Sequence, residues 1–285
     1  MNMMQEYHDL LADIIDFGED SPDRTGVGTR RLFAQQLRFD LRRGFPAVTT
    51  KRLAWKAVTS ELLWFLEGSH DERRLAQILH GTTDAAKRTI WTDNAQADYW
   101  QDRAQYDGDL GRIYGVQWRD WRNSRGEQID QILDLVEGIK RDPTSRRHIL
   151  TAWNPGELNQ MALPPCHVMS QYYVSNRGEI SCHMYQRSVD AFLGLPFNIA
   201  SYALFTHLLA HVTKLKVGEL VISTGDTHVY RNHFEQVLEQ LGRDHYDPPQ
   251  LRLTSQHRDI TMFTMDQIHL DNYQSHGPIR AEMAV

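Results

Sequence analysis

An α+β fold is expected from three features of this 285-residue chain. Strand-like and helix-like stretches alternate irregularly, without the steady strand–helix repeat of a doubly wound parallel sheet. The segment FNIASYALFTHLLAHVTKL (197–215) is apolar nearly all round, which suits a long central helix packed on a sheet. No self-similarity at a period of roughly 20–50 residues is present, which disfavours solenoids and propellers.

At the N-terminus, Leu10, Leu11, Ile14 and Ile15 recur at helical spacing and predict an amphipathic helix. SPDRTGVGTR (21–30) reads as a turn-rich loop around Pro22, Gly26 and Gly28. LFAQQLRFDL follows as a strand and GFPAVTT as a second extended piece. AWKAVTSELLWFLEG is a buried helix ended by Gly68. Residues 69–108 are polar and irregular, with helical fragments, and resemble an insertion more than core. After them, DQILDLVEGIK predicts a helix broken at Pro143, with a strand near 148–153. SQYYVS and GEISCHMYQ are two strands around the turn NRG, while ELVISTGDTHVY and QLRLTSQ supply further strands.

The composition excludes several classes. A net charge of -6 with 24% charged residues describes a mildly acidic protein, unlike a non-specific nucleic-acid binder. No apolar run approaches the roughly 20 residues needed to cross a bilayer. MNMMQEYHDLLADIIDFGED lacks the basic start and cleavage site of a signal peptide. With only two cysteines, the expectation is free thiols in a reducing cytoplasm, that of a host if the chain is phage-encoded.

The stretch MALPPCHVMSQ (161–171) carries Cys166, which has four readings. It can be a small buried hydrophobe, as most free cysteines are. It can pair with Cys182 in a disulfide, which the inferred compartment disfavours. It can join His167, Cys182 and His183 as zinc ligands, but adjacent residues on a strand point to opposite faces. Or it can be a nucleophile, which needs nearby positive charge and partial exposure; Arg187 in YQRSVDAFLGLPFN offers the charge.

ALPPCH with its following Gln171, then YQRSVDAFLGLPFNIASYAL, then GDTHVYRNH, resemble the thymidylate synthase family. DRTGVGTRRLF, QLRFDLRRGFPAVTTKR, ELLWFLEG, GDLGRIYGVQWRDW, DPTSRRHILTAWNP and the closing GPIRAEMAV agree, in family order over nearly the whole chain. The resemblance implies a single catalytic domain over 1–285 with 69–108 as a small-domain insertion, built as an α+β sandwich around a curved mixed sheet. It implies an obligate homodimer and a methyltransferase that converts dUMP to dTMP with 5,10-methylenetetrahydrofolate as co-substrate and no metal.

Under that resemblance Cys166 attacks C6 of the uracil ring, and the covalent step makes C5 nucleophilic. Arg187 stabilises the thiolate and binds phosphate with Arg24 and Ser188, while Arg146 and Arg147 reach across from the other subunit. Guanidinium forks suit a phosphate dianion. Asn198 reads the base, since its amide can donate to O4 and accept from the ring N–H; a carboxylate there would match cytosine instead. Gln186 also joins the substrate set, and His228 and Tyr230 hold the sugar hydroxyl. Glu61, in the apolar SELLWFL helix, is costly unless paired or functional, and its implied role is proton transfer through water. Tyr114 and His167 belong near the base and its water network. Asp190 binds the pterin, and Lys51, Ile90, Trp91, Leu193, Gly194, Phe197 and the tail ending in Ala284 and Val285 form the folate side.

Three departures from the family pattern stand out. Thr92 follows Trp91 where an aspartate is common, TGDTH replaces GGDTH at Thr224, and GSHD (68–71) replaces the usual Gly-x-Thr-Asn. They keep open a sister activity, a dUMP hydroxymethylase that adds water to the same intermediate where the synthase accepts hydride. A non-catalytic nucleotide-binding protein is the alternative from a different class; loss of Cys166, Arg187 or Asn198 would mark it, and all three are present.

Overall fold

The computed structural model describes residues 2–282. Helix α1 (Gln5–Phe17) buries Tyr7, Leu10, Leu11 and Ile14, the face anticipated from their spacing. Strand β1 (Glu19–Ser21) leads through the 22–28 loop into β2 (Thr29–Asp40). Residues 45–49, expected to be extended, form no strand pairing. Helix α2 (Trp55–Glu67) is buried along most of its length and stops where Gly68 takes a left-handed φ of 75°.

Residues 69–108 contain α3 (Glu72–His80), α4 (Thr92–Ala95) and α5 (Asp98–Gln101). Leu75, Trp91, Ala95 and Trp100 from this stretch enter the same apolar cluster as Leu62 and Phe65 of α2. Helix α6 (Tyr114–Arg119) follows, then the two-residue strands β3 (Trp121–Arg122) and β4 (Gln128–Ile129). Helix α7 (Gln131–Arg141) is N-capped by Asp130, whose carboxylate accepts from the Leu133 N–H at 3.0 Å. It ends before Pro143, and β5 (Ile149–Thr151) is the core of the expected 148–153 strand.

Strands β6 (His167–Val174) and β7 (Glu179–Asp190) make the expected hairpin, with Gly178 at φ 70° in its turn. Helix α8 (Leu195–Thr213), β8 (Lys216–Tyr230), α9 (Phe234–Leu241), β9 (Gln250–Leu253) and β10 (Ile268–Asp271) complete the chain. The main sheet has the order β1-β2-β8-β7-β6-β5, and β7 with β8 is its parallel pair; its other neighbours are antiparallel. The fold is therefore α+β with a mixed sheet, as expected. The strand at QLRLTSQ pairs with β10 in a separate ribbon and stays outside that sheet.

Helix α8 covers one face of the sheet. Tyr172, Cys182, Met184, Leu220 and Ile222 are buried on that side, and the Tyr172 ring meets Phe205 of α8 edge-on. The opposite face leaves Phe33 and Tyr173 81% and 64% exposed, with Tyr185 and Ile149 beside them. No described helix is long and apolar enough to cross a membrane.

Two consequences of this topology place the site. The parallel strands β7 and β8 end together, β6 begins at the same end because it is antiparallel to β7, and α8 starts there too. The strands also pack so closely that side chains are excluded: a Cβ on Gly225 would lie 2.6 Å from the Arg187 carbonyl oxygen. Thr224, one of the three departures noted in the sequence, is buried but satisfied, with its hydroxyl 2.6 Å from Thr227 Oγ1. We expect Gly225→Ala to cost about 2 kcal/mol, since backbone on the neighbouring strand must move. Thermal unfolding should show this against Gly277→Ala, where an added Cβ meets nothing within 4 Å.

Candidate active site

Cys166 sits on a short loop entering β6, and Arg187 in β7 ties that loop down. Arg187 donates from Nε to the Pro165 carbonyl at 2.9 Å and from a terminal nitrogen to the Pro164 carbonyl at 3.0 Å. Its backbone N–H donates to the Cys166 carbonyl at 2.9 Å. The same guanidinium lies 3.8 Å from Cys166 Sγ and 5.5 Å from the Trp153 ring centroid. Burial nevertheless raises the thiol above its ordinary pKa, with Arg187 lowering it in part. The thiol thus departs from the expectation of a depressed pKa, because desolvation outweighs one cation.

Behind the thiol, the Tyr114 hydroxyl accepts from the Cys166 and His167 N–H groups at 2.7 and 3.3 Å. His167 is buried between the rings of Tyr114 and Tyr202, and burial lowers it to about 4, so it is neutral. Asn198, in the first turn of α8, accepts from Gln186 Nε2 at 2.9 Å. His167 Nδ1 and Gln186 Oε1 are buried without a protein partner. Such orphaned polar atoms retain hydrogen-bonding capacity that the protein itself does not use.

Glu61 projects from α2, and its Oε1 accepts from Trp91 Nε1 at 2.7 Å. Burial pushes its carboxyl up to about 7 against the Trp91 bond, which lowers it. Trp91 is itself buried and packs against Trp64, Phe65 and Tyr114. The aromatic wall keeps this carboxylate away from bulk water.

Asp190 closes β7 by accepting from the Phe192 and Leu193 N–H groups at 2.8 and 3.0 Å. It pairs with His228 across the sheet, and its charge reaches both Tyr230 and Lys51. His228 Nδ1 is 2.8 Å from Asp226 Oδ1, and its ring meets Tyr230 edge-on. Lys51 is buried, donates to the Phe192 carbonyl and is lowered by burial to about 7. Arg24 is exposed on the 22–28 loop, which Asp23 braces by accepting from the N–H groups of Thr25 and Gly28. The Arg231 N–H donates to the Gly28 carbonyl at 3.0 Å, which holds the loop to this end of the sheet, and the Arg24 charge reaches Tyr230. Leu193 and Phe197 are partly buried around the α8 N-terminus, where Gly194 is the cap, and Ile90 is 45% exposed. Ser188 is partly buried near the end of β7.

Arg146 and Arg147 do not join this group. They are exposed ahead of β5, where Ile149 pairs with Gln171. Arg147 is therefore level with Tyr173, about seven residues from Cys166, or roughly 20 Å at about 3.3 Å per residue. Ala284 and Val285 lie outside the described residues; the chain before them reaches His233, whose Nε2 contacts the Glu282 carbonyl at 2.7 Å. Sequence reasoning assigned no role to Trp153 beneath Arg187 or Tyr202 beside His167, although both lie within the motif blocks quoted above, because their contacts join residues far apart in sequence. The two prolines before Cys166 were the legible signal that this loop needs outside donors.

Residues 5–285 match the family model for thymidylate synthase. The chain belongs to the thymidylate synthase family. Membership implies an enzyme that acts on dUMP, with methylenetetrahydrofolate, in a methylating or related reaction. The family departures find local partners: Thr92 donates to Glu72 Oε1 at 2.7 Å, and Asp71 caps α3 by accepting from the Arg73 N–H at 2.8 Å. Cys166 and Cys182 are both free, with Cys182 buried under α8 and His183 on the exposed face. Among the described residues no group of three or more His, Cys, Asp or Glu is arranged to hold a metal.

Two outcomes follow from these electrostatics. Arg187→Met should slow iodoacetamide alkylation of Cys166 roughly tenfold near pH 7.5 and move its pH profile upward, since about one pH unit is a factor of ten. Mass mapping of the modified peptide checks it, Cys182 being shielded. For Glu61, the folded state holds its proton up to about pH 7 where the free side chain loses it near 4.5. Stability from this group is therefore full below about 4.5 and lost as pH rises through 7, a loss of about 3 kcal/mol at roughly 1.4 kcal/mol per pH unit. Denaturant unfolding of Glu61→Gln should gain on the wild type by that amount between pH 4.5 and 8.

Proposed function

We propose that the chain catalyses the reductive methylation of dUMP to dTMP, as one catalytic domain of about its full length. The observation that carries this reading is the meeting of Cys166, Arg187 and Asn198 at one end of the sheet, beside buried polar atoms that lack partners. Cys166 Sγ adds to C6 of uracil, and the electron pair moves through C5 toward O4. Asn198 holds the base edge, with Gln186 fixing one face of its amide. Glu61, poised near neutrality, passes a proton to and from the O4 region through water. Tyr114 holds the Cys166 and His167 backbone N–H groups, and the neutral His167 borders the water network from which the C5 proton departs.

Arg187, Arg24 and Ser188 take the phosphate, and His228 and Tyr230 the sugar hydroxyl. Arrival of substrate displaces water and strengthens every charge interaction in the pocket. 5,10-Methylenetetrahydrofolate supplies a one-carbon unit and then hydride. The partly buried Leu193 and Phe197 with Trp91 suit a flat heteroaromatic ring, and the Asp190 carboxylate suits its N–H groups. Lys51, Ile90, Gly194 and Ala284 belong to this side by the family pattern. Burial of Trp91 against Glu61 supports a site that excludes water at the last step, hence a methyl rather than a hydroxymethyl product.

A homodimer completes the site in this reading. Contiguous large apolar side chains exposed on one sheet face mark an interaction surface, and here Phe33, Tyr173, Tyr185 and Ile149 lie open opposite α8. A second copy on that face would bury them and could bring its Arg146 and Arg147 to the phosphate that they cannot reach within one subunit. Two free cysteines fit a reducing compartment, the cytoplasm.

Incubation with dUMP and methylenetetrahydrofolate tests the reading, with nucleotide mass and dihydrofolate absorbance as readouts. dTMP with equimolar dihydrofolate is expected. Tetrahydrofolate with 5-hydroxymethyl-dUMP would instead establish the hydroxymethylase. Cys166→Ala should lose at least about 10⁴-fold in kcat, a covalent step being removed, while dUMP affinity changes little. Turnover persisting in that variant overturns the covalent mechanism.

A further inference from the structure

The 84–92 segment carries Trp91, and two neighbouring residues in the first turn of α3 hold both of its ends. Arg73 donates to the backbone carbonyls of Asp84 and Lys87 at 2.8 and 3.3 Å. Glu72 is buried, and its Oε1 accepts from Thr89 Oγ1 at 2.6 Å and from Thr92 Oγ1 at 2.7 Å. Its other oxygen takes Arg73 Nε at 2.5 Å, and its backbone N–H donates to the Gly108 carbonyl at 2.9 Å.

A threonine hydroxyl has one proton to give and two lone pairs to accept with. Both protons here go to Glu72, so both hydroxyl oxygens are left as acceptors. Thr92 Oγ1 then accepts from the Thr89 N–H at 2.8 Å, and Thr89 Oγ1 accepts from the Trp91 N–H at 3.2 Å. The turn is thereby wound around the tryptophan whose indole N–H reaches Glu61 at 2.7 Å. A buried carboxylate is an expensive way to satisfy two hydroxyls, because desolvation opposes it. It differs from a neutral acceptor in forcing the direction of every donor around it.

We propose that Glu72 is a positioning residue for the reaction: by taking the protons of Thr89 and Thr92 it fixes the turn that aims the Trp91 indole at Glu61. This rests on the reading of Glu61 as the proton-passing carboxylate. The groups that face Glu61 are Trp91, Tyr114 of α6 and Tyr202 of α8, and both tyrosines are raised in part by its charge.

The test is an NMR titration of protein labelled with ¹⁵N at its tryptophan indoles, with the Trp91 signal assigned by its loss in Trp91→Phe. In the wild type this signal should follow Glu61 with a midpoint near pH 7, and the titration should vanish in Glu61→Gln. Glu72→Gln and Thr92→Val should each move the midpoint upward by about one pH unit, because a hydrogen bond that favours the carboxylate is loosened. Thr92→Ser, which keeps the hydroxyl, should stay at the wild-type midpoint. The KM for the folate should rise several-fold in the first two variants while dUMP affinity holds. A lowered melting temperature with an unmoved midpoint, the result of a merely structural Glu72, overturns the proposal, and if one variant fails to fold the other decides. Wild-type turnover in Glu61→Gln would remove the proton-passing role of Glu61 separately, since the midpoint shift requires no catalysis.

Discussion

The guanidinium of Arg187 is the contact on which the Cys166 loop depends. Pro164 and Pro165 have no N–H to give, so their segment cannot pair as a strand, and its carbonyls must find donors elsewhere. Arg187 supplies them from the neighbouring strand while its backbone holds Cys166. One side chain therefore sets both where the thiol stands and what charge it feels. The close packing of Gly225 against the Arg187 carbonyl keeps that strand in place. Loop, charge and sheet spacing are thus a single constraint.

Around this contact, burial pushes ionisable groups toward neutrality. Glu61 rises to about 7, Lys51 falls to about 7, His167 falls to about 4, and the thiol rises despite its arginine. The common cause is desolvation, which penalises whichever form is charged. Charge in such a site therefore depends on a nearby partner of opposite sign, as Arg187 is for the thiol. The cost falls on stability, because Glu61 and Lys51 each titrate nearer neutrality in the folded chain than when free.

The places where the chain leaves the family pattern are local exchanges of partner. Thr92 turns to Glu72, Thr224 turns to Thr227, and Asp71 caps α3. The two buried hydroxyls have each found an acceptor or partner, Thr92 twenty residues away on α3 and Thr224 three residues along its own strand, as burial of polar groups requires. The 69–108 stretch is built the same way, with Trp91 and Trp100 given to the core and the polar residues tied among themselves.

Much of the architecture was legible in the chain because it rests on local rules. The spacing of Leu10, Leu11 and Ile14, the left-handed Gly68, the all-round apolar 197–215 helix and the turn at Gly178 each depend on a few adjacent residues. The chemistry-bearing residue types were legible as well, through their ordered motifs. Partnership was not, because it joins residues far apart in sequence. Glu61 with Trp91, Arg187 with the two proline carbonyls, and the separation of Arg147 from Cys166 are fixed by strand register and helix packing. The final state of Cys166 belongs with them. Its sequence supplied a thiol and a neighbouring cation, but only the fold decided how much water each would lose, and that loss sets the charge.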